Sequence, residues 1–174
     1  MDEIEVPTEH LHEAIHESVH HASNSKEQKW SMLVAISTAL MAVLAAISSL
    51  FAGHNSNEAV INQIKASDQW ALYQSKGIKA EIKAIKIGNA PIDTMEYNRY
   101  KKEQSSIKEK AEELQNESSS HLEIEKKFAK AVTFFQIAIA ISAISILTKR
   151  KFLWVISLFL GATGFLFLMQ GIGI

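Results

Sequence analysis

The sequence predicts an all-α integral membrane protein in which three transmembrane helices accompany an extramembrane antiparallel helical hairpin, a coiled coil. Three apolar runs contain no charged residue and are long enough to cross a bilayer. The polar stretch between the first and second runs carries apolar residues at the three-four spacing of a coiled coil. Near the middle of that stretch lie Gly88 and Pro91, residue types that end helices.

The chain begins with an acidic arm, residues 1–29, in which Thr8 can cap a short amphipathic helix. Because His12, His16 and His20 share one face of that helix, they are candidate ligands of a transition metal. Ordinary helix pairing is the alternative that we favour, since a glutamate precedes each of these histidines by three residues. A pH response of the arm is a further possibility.

Residues 30–52, 131–148 and 152–174 are predicted to be transmembrane helices 1, 2 and 3, because bilayer burial requires a helical backbone. The first run is about 34 Å long as a helix, against about 30 Å of hydrocarbon. The last two runs are joined by the basic turn 149–151. Positive charge favours the cytoplasm, so we expect a cytoplasmic N-terminus and an extracytoplasmic hairpin.

Small residues recur in the spans at a spacing that allows close helix packing in lipid. They predict contacts through Ala35, Ala39, Ala42 and Ala46 of the first span and through Gly161 and Gly164 of the third. Two amides, Gln136 and Gln170, are predicted to form an intramembrane polar pair. Since no charged residue lies within a span, a pore-lining role is less favoured.

The hairpin is predicted to occupy residues 53–130, with its two helices facing each other through heptad stripes. On the first helix the predicted contact stripe consists of Ile61, Ile64, Asp68, Ala71, Ser75, Ile78, Ile82 and Ile85. On the second helix it consists of Tyr97, Tyr100, Gln104, Ile107, Ala111, Leu114 and Ser118. Equal rise along both helices then predicts the ion pairs Lys83–Glu96, Lys76–Glu103 and Lys65–Glu113.

The stretch 67–79 reads S-D-Q-W-A-L-Y-Q-S-K-G-I-K. It resembles the D-Q-W-x-x-Y-Q-x-K-x-I-K segment of an uncharacterised bacterial membrane family, domain-of-unknown-function 4337. The resemblance implies a protein of the bacterial inner membrane and assigns no activity. Within this stretch Trp70, Tyr73 and Gly77 suit a helix–helix contact, either with another copy or partner or within the hairpin's own core.

A formal net charge of −1 without a compact basic patch argues against nucleic acid as a partner. The absence of cysteine excludes disulfides and thiolate metal sites. No phosphate-binding loop, dinucleotide turn or nucleophile elbow occurs, so we expect neither an enzyme nor a cofactor.

The leading hypothesis is a scaffold or accessory subunit that forms a homo-oligomer or joins a larger membrane complex. The alternatives are an oligomeric channel or transport subunit, and a metal- or pH-responsive membrane protein.

Overall fold

The structure, a computed structural model, describes residues 25–85 and 94–173. All regular elements in these residues are α-helices: α1 is Ser25–Ile85, α2 is Thr94–Thr148 and α3 is Lys151–Ile172. Each helix contains a segment that is long and apolar enough to cross a membrane. The N-terminal arm with its candidate ligands His12, His16 and His20 lies outside the described residues, as does the predicted reversal of the chain around Gly88.

The described chain divides into two compact units. The first unit comprises the residues up to Ala52 together with those from Lys126 onward, and it contains the three apolar runs. The second unit is Gly53–Glu125, the polar stretch of the sequence. Residues 126–130, which were predicted to be part of the hairpin, belong to the first unit.

In the first unit the aliphatic residues Val34, Ala143 and Ile146 form a buried cluster. Both Trp30 and Trp154 pack against it. The indole of Trp154 also donates a hydrogen bond of 3.1 Å to the hydroxyl of Ser37 on α1. Both tryptophans therefore contribute to the same apolar cluster of the first unit.

Further along the first unit, hydroxyls and glycines mediate the close contacts. Thr38 of α1 and Ser142 of α2 share a buried hydrogen bond of 2.6 Å. A Cβ placed at Gly161 would lie 2.7 Å from the sulfur of Met41, and one at Gly164 would lie 3.2 Å from the ring of Phe135. Because a Cβ at either position would crowd these neighbours, glycine lets α3 approach them closely.

The connection between α2 and α3 is the predicted basic turn. Lys149 adopts a left-handed conformation with a φ of 54°. Its backbone N–H donates to the carbonyl of Ile146 at 3.3 Å. The hydroxyl of Ser145 donates to the carbonyl of Arg150 at 2.9 Å. The carbonyl of Ile146 in the last turn of α2 is thereby satisfied without a glycine, and the chain reverses within two residues.

In the second unit α1 and α2 pack side by side in opposite directions. The hydroxyl of Ser118 donates to the carbonyl of Ala59 at 2.8 Å. Higher along α1, Lys76 pairs with Glu103 at 2.6 Å and Lys83 pairs with Glu96 at 2.5 Å. As the residue numbers rise along α1, those of the paired residues fall along α2, so the two helices are antiparallel. Both of these ion pairs were predicted, whereas Glu113 pairs with Lys110 of its own helix rather than with Lys65.

The predicted contact stripe of the first helix is wrong. Ile61, Ile64, Ile78 and Ile82 are exposed. The side chains that α1 buries in this unit are instead Asn55, Ala59, Asn62, Ala66 and Ala80. Of the predicted stripe of α2, Ala111, Leu114 and Ser118 are buried and the other four residues are half-buried. Small side chains on α1 let the two helices approach closely, and for this reason the alanine face rather than the isoleucine face meets α2.

Candidate interaction surface

An uncovered apolar face runs along α1 in the second unit. We call it the isoleucine stripe and define it as Ile61, Ile64, Asp68, Ala71, Ser75, Ile78 and Ile82. Its four isoleucines are 43%, 57%, 61% and 51% exposed, in chain order. They recur at three-four spacing in a segment rich in charged residues. A repeat of this kind is the pattern by which a helix contacts another helix.

The isoleucine stripe lies opposite the face that α1 presents to α2. The buried residues Ala59, Ala66 and Ala80 each precede a stripe position by two residues. Two residues correspond to a rotation of about 200° around a helix of 3.6 residues per turn. In this unit α1 therefore carries two heptad faces on opposite sides, and among the described residues only one of them is covered.

The equivalent outward positions of α2 are occupied by polar residues. Counted from its buried positions Ala111 and Ser118, the corresponding outward face consists of Arg99, Lys102, Ser106, Glu109, Glu113 and Asn116, all exposed. A solvated helix face has this composition. The contrast with α1 singles out the isoleucine stripe as the unusual surface of the unit, since isolated exposed apolar residues are ordinary but a regular row of them is not.

Trp70, Tyr73 and Gly77 lie beside the contact with α2, where all three are half-buried. The side-chain amide of Gln104 donates to the carbonyl of Tyr73 at 3.3 Å. A Cβ at Gly77 would stand 2.7 Å from the same amide nitrogen. Trp70 packs edge-on against Tyr73 at a centroid distance of 5.5 Å. These residues were expected to contact either another chain or the hairpin's own core. The positions of Tyr73 and Gly77 support the second alternative, a contact between α1 and α2.

Ion pairs flank this contact. The hydrogen bond from Lys83 and its positive charge, together with the charge of Arg99, lower the pKa of Glu96. The pKa of Glu103 is lowered by the hydrogen bond from Lys76, and the nearby cations add to this effect. The carboxylates are solvent-accessible, so these pairs contribute more to register than to stability.

The histidines of the second unit form no ligand cluster. His121 bonds through Nδ1 to the side-chain oxygen of Asn55 at 3.0 Å, and His54 is exposed. Within residues 25–85 and 94–173, no three His, Cys, Asp or Glu side chains lie close enough together to hold a metal ion.

The predicted interaction residues of the spans differ in their surroundings. Gly161 and Gly164 are buried. In the predicted stripe of the first span, Ala35, Ala39 and Ala42 are half-buried, Ala46 is exposed, and Ala35 packs against the buried cluster. The face that α1 buries there is formed by Val34, Thr38, Met41, Ala45 and Ser48.

The predicted polar pair of the spans is not formed. Gln136 and Gln170 are both exposed, and no hydrogen bond joins them within the part of the chain that the structure describes.

Residues 30–173 match the model of a family described as Domain of unknown function (DUF4337). The chain belongs to this family. No curated protein and no solved structure matches the chain. The region matched by the DUF4337 model contains all three apolar runs and the isoleucine stripe, and it begins just after the acidic arm.

Sequence reasoning missed the small and polar residues through which this DUF4337 protein packs α1 on α2. Asn55, Ala59, Asn62 and Ala66 are spaced by four, three and four residues, so their heptad signal is as regular as that of the isoleucines. In residue number this spacing continues that of Thr38, Met41, Ala45 and Ser48 in the first span. A search for regular spacing that disregarded hydrophobicity would have found it.

Proposed function

We propose that this protein is a non-enzymatic membrane scaffold or accessory subunit that associates with other chains through the α1 and α2 segments of its second unit. The single observation that supports the proposal is the uncovered isoleucine stripe. Large apolar side chains arranged in a row and exposed to water are unfavourable in a lone chain. A second helix laid on the stripe would remove them from water, as occurs when an amphipathic helix is recognised by its partner.

The proposal includes membrane insertion of the three apolar runs. Their charge-free composition supports this, because the segment between the first two runs is densely charged and belongs in water. The basic turn Lys149, Arg150 and Lys151 supports a cytoplasmic location for itself and for the N-terminus. The second unit would then lie outside the cytoplasm, and the family resemblance supports the bacterial inner membrane.

We further propose that α1 and α2 of the second unit form an antiparallel coiled coil. Three-four spacing of the contact residues on both helices supports it. Polar groups within the contact also support a specific alignment, since the hydroxyl of Ser118 bonds the backbone of Ala59 and Lys76 pairs with Glu103. If α2 were shifted along α1 by one helical turn, these bonds would break and buried polar groups would lose their partners.

The test is the mass of the full-length protein, extracted in mild detergent and transferred to lipid nanodiscs. We expect assemblies that contain more than one polypeptide chain. A double variant, Ile64→Ser with Ile78→Ser, should shift the mass toward the single chain. Its matched control is Met95→Ser, which removes an apolar side chain that is 83% exposed but lies outside the stripe.

Circular dichroism should find the same helix content in all three proteins, because the replaced side chains are exposed. A wild-type protein that runs as a lone monomer without partners would contradict the proposal. So would a double variant whose assemblies equal those of the wild type.

A further inference from the structure

We infer that the occupant of the isoleucine stripe is the same stripe of a second copy of this chain, paired in parallel and in register. This inference rests on the proposed function and specifies its partner. The stripe and the face that binds α2 lie on opposite sides of α1, about 200° apart around the helix. A second copy can therefore bind the stripe while every contact between α1 and α2 stays in place.

A second copy matches the stripe because parallel, in-register pairing brings each position against itself. Ile61, Ile64, Ile78 and Ile82 would each meet the identical side chain, at the alternating spacing that packs two parallel helices. The span that ends at Ala52 also favours this register, since each stripe residue is the same number of residues from the first apolar run in both copies. A symmetric contact of this kind closes on itself and does not extend into a fibre.

The composition of the unit argues against the head-to-tail alternative, in which the stripe of one copy would meet the outward face of α2 of the next. That face presents exposed cations and carboxylates, among them Lys102, Glu109 and Glu113. Burial of these charges against isoleucine would cost free energy without a compensating partner. The apolar surface that fits the stripe within this unit is the stripe itself.

The flanks of the stripe bring no like charges together in the parallel arrangement. One flank carries Lys65 and Lys79, and the other carries Ser67, Gln74 and Glu81, all of them exposed. Parallel pairing sets the lysine flank of one copy against the other flank of its partner, so Lys79 approaches Gln74. Antiparallel pairing would instead bring Lys65 of each copy near Lys79 of the other, where like charges repel.

Asp68 makes the inference sharply testable. It is exposed in the single chain and occupies the centre of the stripe. In a parallel pair the two Asp68 carboxylates face each other, and repulsion together with lost hydration weakens the association. Asp68→Asn should therefore tighten the pair about tenfold, which corresponds to about 1.4 kcal/mol. If the partner placed a cation opposite Asp68, Asp68→Asn would instead weaken the association.

The experiment is site-specific disulfide formation in the full-length protein, which is free of cysteine, reconstituted in liposomes. Ile64→Cys and Ile78→Cys are each oxidised and run on a non-reducing gel. We expect a band at twice the chain mass for both, because parallel contact positions place like residues at disulfide distance. The matched control is Ser106→Cys, an exposed position on the outward face of α2, which should stay monomeric.

Failure of the inference and failure of the proposed function differ in outcome. If Ile64→Ser with Ile78→Ser lowers the nanodisc mass but neither cysteine variant crosslinks above the control, the stripe binds a partner in another arrangement and only the inference is overturned. Crosslinking confined to a mixture of Ile64→Cys with Ile82→Cys would indicate antiparallel pairing and would also overturn it. Weaker association of Asp68→Asn would assign the stripe to a different, basic partner. A single-chain mass throughout would contradict both.

Discussion

Substitution of the two buried glycines of α3 by alanine should have unequal effects on the first unit. At Gly164 the new methyl would lie 3.2 Å from the ring of Phe135 and 3.3 Å from the backbone carbonyl of Ala131. That ring is fully buried and a carbonyl in a helix cannot move aside, so α3 would have to shift. At Gly161 the methyl would lie closer to its neighbour, 2.7 Å from the sulfur of Met41, but that atom is near the end of a flexible side chain.

We expect Gly164→Ala to lower the free energy of unfolding by about 1–2 kcal/mol, in the range of overpacked cores. Gly161→Ala should change it by less than about 0.5 kcal/mol, because the methionine can adopt another rotamer and alanine favours the helix. The substitution with the closer contact, Gly161→Ala, is thus expected to have the smaller effect on the free energy of unfolding. Ala162→Val, at an exposed position between the two, is the matched control and should be neutral.

The assay is unfolding of the full-length protein in mixed micelles of increasing SDS content, followed by tryptophan fluorescence. A Trp70→Phe background leaves Trp30 and Trp154, which both pack on the buried cluster of the first unit, as reporters. If Gly161→Ala costs as much as Gly164→Ala or more, the argument that mobility of the neighbour decides the cost is wrong. If both are neutral, α3 packs less closely than the distances indicate.

Three further predictions concern the ion pairs of the second unit, the hydrogen bond between Thr38 and Ser142, and the open space around Gly53. The pKa values of Glu96 and Glu103 are lowered, so their ion pairs stabilise the second unit above the usual glutamate pKa and are lost as the pH falls through the lower value. Thermal unfolding followed by circular dichroism should therefore show an unfolding midpoint that decreases in acid. The decrease should be smaller in the double variant Glu96→Gln with Glu103→Gln. Thr38→Val and Ser142→Ala should each cost about 0.6 kcal/mol in the micelle assay, and the double variant should cost no more than their sum. Gly53→Ala should stabilise by about 0.5–1 kcal/mol in the thermal assay, because nothing lies within 4 Å of the added Cβ.

Axial register in the second unit could be predicted from the sequence even though the contact face of α1 could not. Register depends on the rise per residue, which is the same for every face of a helix. The pairs Lys76–Glu103 and Lys83–Glu96 were therefore found at the correct height. The face depends on rotation, which changes by about 100° per residue, so a choice between two regular stripes two residues apart selects opposite sides.

Within the first unit, glycine was a better guide to helix contacts than alanine. Gly161 and Gly164 are both buried, and each lies against a large side chain of another helix. The predicted contact of the first span centred on Ala39 and Ala42, whereas the buried face there centres on Thr38 and Met41, one residue earlier. Alanine is common on any apolar helix face, so its spacing does not distinguish a contact with the same chain from lipid or from another copy.

The wrong choice of face on α1 has a physical cause that bears on function. Hydrophobicity ranks the isoleucine stripe above the face of Ala59, Ala66 and Ala80, yet the chain buries the alanines. Both series obey one heptad spacing, so periodicity does not distinguish the face that contacts α2 from the face that stays exposed. On α2 one such series exists and α1 covers it. On α1 two exist, and the more hydrophobic one stays exposed among the described residues.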